Sequence, residues 1–250
     1  MVARKLLPVV IILLCGCGEE GAETPVTRAP QVRKVSDPLT ASDLDHFLRV
    51  IEARGDSVIP EFSPPTDDDS LDHRLSGKEL ADRFRKQFHH VFDVERQAEV
   101  WNDDEQWSRA FERQNVSSVE FAGLVRSISC SVMRVRLNAR VDIARLLENA
   151  RTEVDEIIAT MDSIDGLTLE DRTKQDEFIR SQSALRLARA IALLEFAEMV
   201  RQVPDANCTI VRDYSKQLRP LLPSTDGLLA ELQALGASHA ADVTPVKYER

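Results

Sequence analysis

Residues 117–204 read SSVEFAGLVRSISCSVMRVRLNARVDIARLLENARTEVDEIIATMDSIDGLTLEDRTKQDEFIRSQSALRLARAIALLEFAEMVRQVP. No proline occurs between Pro65 and Pro204, and the glycines in that interval are Gly77, Gly123 and Gly166. A proline inside a helix costs about 3 kcal/mol and a glycine about 1, so the stretch permits long helices. From Phe121, apolar or small residues return at Val125, Ile128, Val132, Val135, Ala139, Ile143, Leu146, Ala150, Val154, Ile157 and Met161. Steps of three and four lay one stripe along a helix. Beyond Ile164-Asp165-Gly166 the rhythm resumes at Phe178, Gln182, Leu185, Ala188, Ala192, Phe196, Met199 and Val203. The pattern predicts a long antiparallel helical hairpin over 117–203, turning at Gly166. The apolar face of its second arm widens over 184–200, which predicts neighbours on two sides. Ser117 or Ser118 with Glu120 is the expected N-cap of the first arm, and Thr168 with Glu170 and Asp171 that of the second. Asp142 could instead cap a new helix and divide the first arm.

Shorter helices flank the hairpin. Thr40 or Ser42 starts one that carries Leu44, Phe47, Leu48 and Ile51 and is closed by Gly55. Residues 57–70, with Pro60, Pro64, Pro65 and the run Asp67-Asp68-Asp69, form an irregular excursion. Ser76 starts a helix with Leu80, Phe84, Phe88 and Val91 inward, and 104–114 is a short helix with Trp107, Ala110 and Phe111 on one side. After Pro204, Asp205 caps a segment bearing Ile210, Val211, Tyr214 and Leu218. Residues 225–235 make a last helix closed by Gly236, and 237–250 read as a disordered tail. The expected fold is therefore all-α: a helical bundle over 40–236 built around the hairpin.

The chain has 250 residues and a net charge of −10. That length suffices for a sizeable core, and the charge argues against non-specific nucleic-acid binding. Aromatic residues are sparse while Leu, Ala, Arg and Glu are plentiful, a balance that suits helices better than sheets.

The first residues carry the clearest functional signal. Arg4 and Lys5 precede an apolar run, Leu6 to Leu14, too short to span a bilayer as a stable helix and laid out like a secretory signal. It ends Leu14-Cys15-Gly16-Cys17, which resembles the bacterial lipobox: leucine three before the cysteine and a small residue just before it. Cys15 departs slightly from that pattern, where alanine or serine is commoner. The resemblance covers about eighteen residues. It implies that residues 1–16 are a signal peptide and that Cys17 is the first mature residue, acylated on its thiol and its amine. Several chains on one residue hold a membrane far more firmly than one. In enterobacterial lipoproteins an Asp after the cysteine favours inner-membrane retention; Gly18 stands there, which leans to the outer membrane, with the mature domain on its periplasmic side. Residues 17–39 follow as the acylated cysteine and a tether, with Gly21, Pro25, Pro30 and Pro38 and no periodicity.

Export would place Cys130 and Cys208 in a disulfide-permissive space. Folding the hairpin about Gly166 brings both to similar height, which predicts a Cys130–Cys208 disulfide, with two buried free thiols as the plainer alternative. Arg126, Arg134, Arg136 and Arg140 occur without an acid between Phe121 and Val141. The same fold-back sets Arg134 and Arg136 against Glu195 and Glu198, and Arg186 and Arg189 against Asp142 and Glu148. Such pairs align two helices; the functional reading is an arginine patch for an anionic lipid, polysaccharide or peptide carboxylate. His89, His90 and Asp93 are metal-ligand candidates, since residues four apart share a helix face, but no second ligand pair accompanies them, and a solvated helix end explains them more simply. Trp101 and Trp107 could form a binding surface, or core.

No phosphate-binding Gly-rich loop, Ser-centred nucleophile elbow, HExxH or CxxCH occurs in the sequence. Nothing points to catalysis or to a cofactor. The sequence reads as a lipid-anchored helical protein of the cell envelope that binds or scaffolds, with the membrane and an envelope protein as partners. An envelope enzyme or a small-ligand carrier with a site inside the bundle is the alternative.

Overall fold

The computed structural model describes residues 32–55, 62, 75–138, 141–168, 173–222, 230, 232 and 234. Among them the fold is all-α, with helices α1 (Ala41–Arg54), α2 (Gly77–Val91), α3 (Val94–Asn102), α4 (Glu105–Gln114), α5 (Ser118–Asn138), α6 (Ile143–Asp165), α7 (Lys174–Arg201), α8 (Asp205–Asp213) and α9 (Ser215–Leu218). The signal segment with Cys17, the acidic excursion 67–69 and the tail 237–250 lie outside the described residues.

Helix starts follow local chemistry. Thr40 with Asp43, Ser76 with Glu79, and Thr173 with Asp176 each form a reciprocal capping box. Ser117 and Glu120 exchange the same pair of bonds, at 3.4 Å each. Gly55 closes α1 at φ 86°, a conformation that favours glycine. Asp142 caps α6 by accepting from the amides of Ala144 and Arg145, so the first arm of the predicted hairpin is two helices. Helix α3 joins the expected elements, started by Asp93, which accepts from the amides of Glu95 and Arg96.

The hairpin is thus α6 and α7, with α2 packed on both. Eight residues, Gly166 to Thr173, separate its arms, and the second arm is capped by Thr173 rather than Thr168. The longer turn moves the charge pairing. Glu198 pairs with Arg151 and Arg201, Arg186 with Glu153 at 3.4 Å, and Glu195 with Arg85 at 3.4 Å. Arg134 instead pairs with Asp205 at 2.7 Å. The expected partners Asp142 and Glu148 for Arg186, and Glu195 and Glu198 for Arg134, came from a turn drawn too short and an unbroken first arm.

Two cores result. One is aliphatic, built on Leu146, Ala150, Val154, Ile157 and Met161 of α6 against Leu187, Ile191, Leu194 and Val200 of α7. The other is aromatic, where Phe47, Trp101, Trp107, Phe111 and Phe121 meet from α1, α3, α4 and α5. Helix α5 joins them: Phe121, Val125 and Ile128 enter the aromatic core, and Met133 and Leu137 the aliphatic one.

Helix α7 turns a different face inward from the one the sequence suggests. Phe178 and Leu185 are 59% and 52% exposed, while the buried set runs Arg180, Ser183, Ala184, Leu187, Ala190, Ile191, Leu194, Ala197 and Val200. Both stripes step in threes and fours. A polar start, Arg180 and Ser183, disguises the inner one. Leu187→Ala should cost about 2–5 kcal/mol in urea unfolding and Leu185→Ala less than about 1; equal costs would return the expected face to the core.

Candidate functional site

The described residues begin at Val32, eight residues before the expected Thr40. A face of small residues on α5 receives residues 32–39. A Cβ added at Gly123 would lie 3.2 Å from the backbone amide nitrogen and Cβ of Arg33, so a larger residue would push this segment outward and glycine suits the close approach. Arg126 donates to the carbonyls of Phe92 and Arg33, both at 3.0 Å, and Ser127 to the carbonyl of Lys34 at 3.3 Å. Asn207, fully buried on α8, accepts from the Leu39 amide at 2.8 Å and donates to the Asp37 carbonyl at 3.0 Å.

Cys130 and Cys208 lie on this seam. They fall in one small apolar cluster with Val35 and Val203, as free, buried thiols rather than the expected disulfide. Val35 and Val203 bury the thiols without a covalent link. Burial pushes the Cys130 thiol up to about 12, against the opposing pull of Arg126, and raises that of Cys208 as well. A thiol held neutral is neither a nucleophile nor a ready metal ligand.

The histidine candidates are not brought together. His89 is exposed and lies 3.3 Å from Glu195, His90 is exposed, and Asp93 is engaged as the α3 cap. Among the described residues no group of three or more His, Cys, Asp or Glu is placed to hold a metal ion. Trp101 and Trp107 stack at 5.9 Å inside the aromatic core, with the Arg54 guanidinium 4.2 Å from the Trp107 ring centroid.

Three concavities differ in what their charged groups already do. The first, about 540 Å³, is lined in part by Arg33, Asp43, His46 and Glu120. There Arg33 pairs with Asp43 at 2.8 Å, and Asp43 and Glu120 belong to capping boxes. The second, about 580 Å³, holds Arg126, His89, Asp93, Glu195 and Glu198, all bound to the contacts already described. The third is smaller, about 130 Å³. Helix α5 contributes Val132, Val135 and Arg136 to it, at the i, i+3, i+4 spacing of one helix face. Across from them lie Val211, Arg212, Ser215, Leu218, Arg219 and Leu222, which recur in the same rhythm through α8 and α9. Among the described residues, the side chains of Arg212 and Arg219 make no ion pair or hydrogen bond, and no carboxylate lines the groove.

Sequence reasoning singled out Arg136 within its arginine run but not Arg212 or Arg219. The available signal was the recurrence of Arg at 212 and 219, seven apart beside Val211 and Leu218. Comparison with protein families, curated proteins and solved structures finds no match.

Proposed function

We propose that this chain is a lipid-anchored protein of the bacterial cell envelope whose helical domain acts by binding rather than by catalysis. The observation that carries the anchoring is Leu14-Cys15-Gly16-Cys17 after a short basic and apolar lead, with Cys17 as the acylated residue. Multiple acyl chains on one residue make such attachment stable. No single helix among the described residues is long and apolar enough to cross a membrane. Fourteen residues, 18–31, lie between Cys17 and Val32, the first described residue, and a chain of that length reaches at most about 50 Å. The domain would therefore work close to its membrane, with an envelope protein as its expected macromolecular partner.

In support of binding, Arg33, Asp43 and Glu120 in the first of the two larger concavities, and Arg126, Asp93, Glu195 and Glu198 in the second, serve caps, ion pairs and backbone contacts. The alternative of a small-ligand carrier gains from the third groove, where Arg212 and Arg219 make no ion pair or hydrogen bond among the described residues.

Cys17→Ala should move the protein from the detergent phase to the aqueous phase on phase partition of cell extracts and abolish incorporation of labelled fatty acid. Continued detergent-phase partition of the variant would refute the anchor.

A further inference from the structure

We infer that the groove between α5 and the α8–α9 junction binds an anionic amphiphile, a carboxylate or phosphate ester on a short apolar chain. The floor and the rim point to the two halves of such a ligand. Val211 and Leu218 are almost fully buried and form the floor with Val132 and Val135. Arg136, Arg212 and Arg219 stand around it. The volume of about 130 Å³ equals roughly four water molecules at ~30 Å³ each. It takes a few carbons of a chain and leaves the anion at the arginines.

Charge supports the same assignment. The chain carries −10 overall, yet among the described residues this groove is lined by Arg136, Arg212 and Arg219 and by no Asp or Glu, a local excess of positive residues. Helix dipoles account for part of it, because Arg136 and Arg212 lie in the last turns of α5 and α8. That effect acts on each helix separately and does not explain why arginines of α5, α8 and the end of α9 line one groove. A guanidinium presents paired donors that match carboxylate and phosphate oxygens, and the Ser215 hydroxyl adds another beside them. The site makes no use of Cys17, and its test is independent of the anchor.

The test is arginine labelling with phenylglyoxal on the full chain in phosphatidylcholine nanodiscs, read peptide by peptide by mass spectrometry. Millimolar hexanoate or hexyl phosphate should slow labelling of Arg212 and Arg219 by about five-fold or more, as charge-assisted hydrogen bonds shield both groups. Exposed Arg49 on α1 should label at an unchanged rate. Inorganic phosphate and hexanol at the same concentrations should change the rates by less than about two-fold, since each supplies one half of the ligand. Whichever amphiphile protects better identifies the head group. Arg212→Gln should reduce the protection of Arg219, and Val132→Thr should weaken protection by the amphiphile without unfolding the protein. Equal protection by inorganic phosphate would reduce the site to a plain anion patch and overturn the inference. So would protection of Arg49 to the same degree, or no protection of either groove arginine.

Discussion

Phe121→Ala is expected to remove about 3–5 kcal/mol of folding stability. Phe121 is fully buried on α5, and its ring meets four others. It stacks on Phe47 at 5.7 Å and 12°, lies 5.4 Å from both Trp107 and Phe111, and meets Trp101 edge-on at 6.0 Å. The four neighbouring rings come from three other helices, α1, α3 and α4, so no single neighbour can collapse into the space that truncation would leave. Each aromatic pair adds about 0.5–1.5 kcal/mol beyond the area it buries. Against a total stability of about 5–15 kcal/mol for an ordinary domain, the loss is large. Urea unfolding followed by tryptophan fluorescence measures it, with Trp101 and Trp107 as reporters inside the cluster. Phe178→Ala is the matched control, because that ring is 59% exposed. A midpoint shift for Phe121→Ala no larger than the control's would mean the aromatic core does not hold α5 in place.

Arg180→Met should be nearly as damaging, for an electrostatic reason. The Arg180 side chain is 6% exposed and grips Asp165 with two bonds, Nε to Oδ1 at 2.7 Å and Nη2 to Oδ2 at 3.1 Å. Nη2 also donates to the Leu75 carbonyl at 2.6 Å. One guanidinium thus ties the end of α6, the start of α7 and the residue before the α2 cap. Breaking a fully buried pair by removing one partner costs about 3–5 kcal/mol. Asp165 is 25% exposed, so water screens the charge left behind and places the loss near the lower end of that range. The double variant Arg180→Met/Asp165→Asn should recover part of it, because the orphaned charge goes too. Strict additivity of the two single losses would show that the pair is not coupled.

The contrast between these two residues explains how much of the fold is legible from sequence. Phe121 sits at the head of an apolar stripe and announces itself as core. Arg180 is a charged residue on a helix start, and its burial depends on Asp165 and on a carbonyl 105 residues away. The candidate groove follows the same division. Val132, Val135 and Arg136 share a face that can be read from their spacing, as do Val211, Arg212, Ser215, Leu218 and Arg219. That the two faces meet is a matter of packing between α5 and α8, which no local pattern encodes.

What the sequence by itself determined is local: which segments are helical and where most of them start. A cap needs only a side chain and an amide two or three residues on, so Thr40, Ser76, Ser117, Asp104 and Asp142 act as their neighbours dictate. The tertiary structure decided which of the two stripes on α7 faces the core, because both have the same period and packing against α2, α5 and α6 breaks the tie. It also decided the ion-pair partners, through an eight-residue turn and a broken arm, and the docking of residues 32–39 on α5. Cys130 and Cys208 combine the two levels. The packing of α8 on α5 brings them into one cluster, and Val35 and Val203 around them bury them as free thiols.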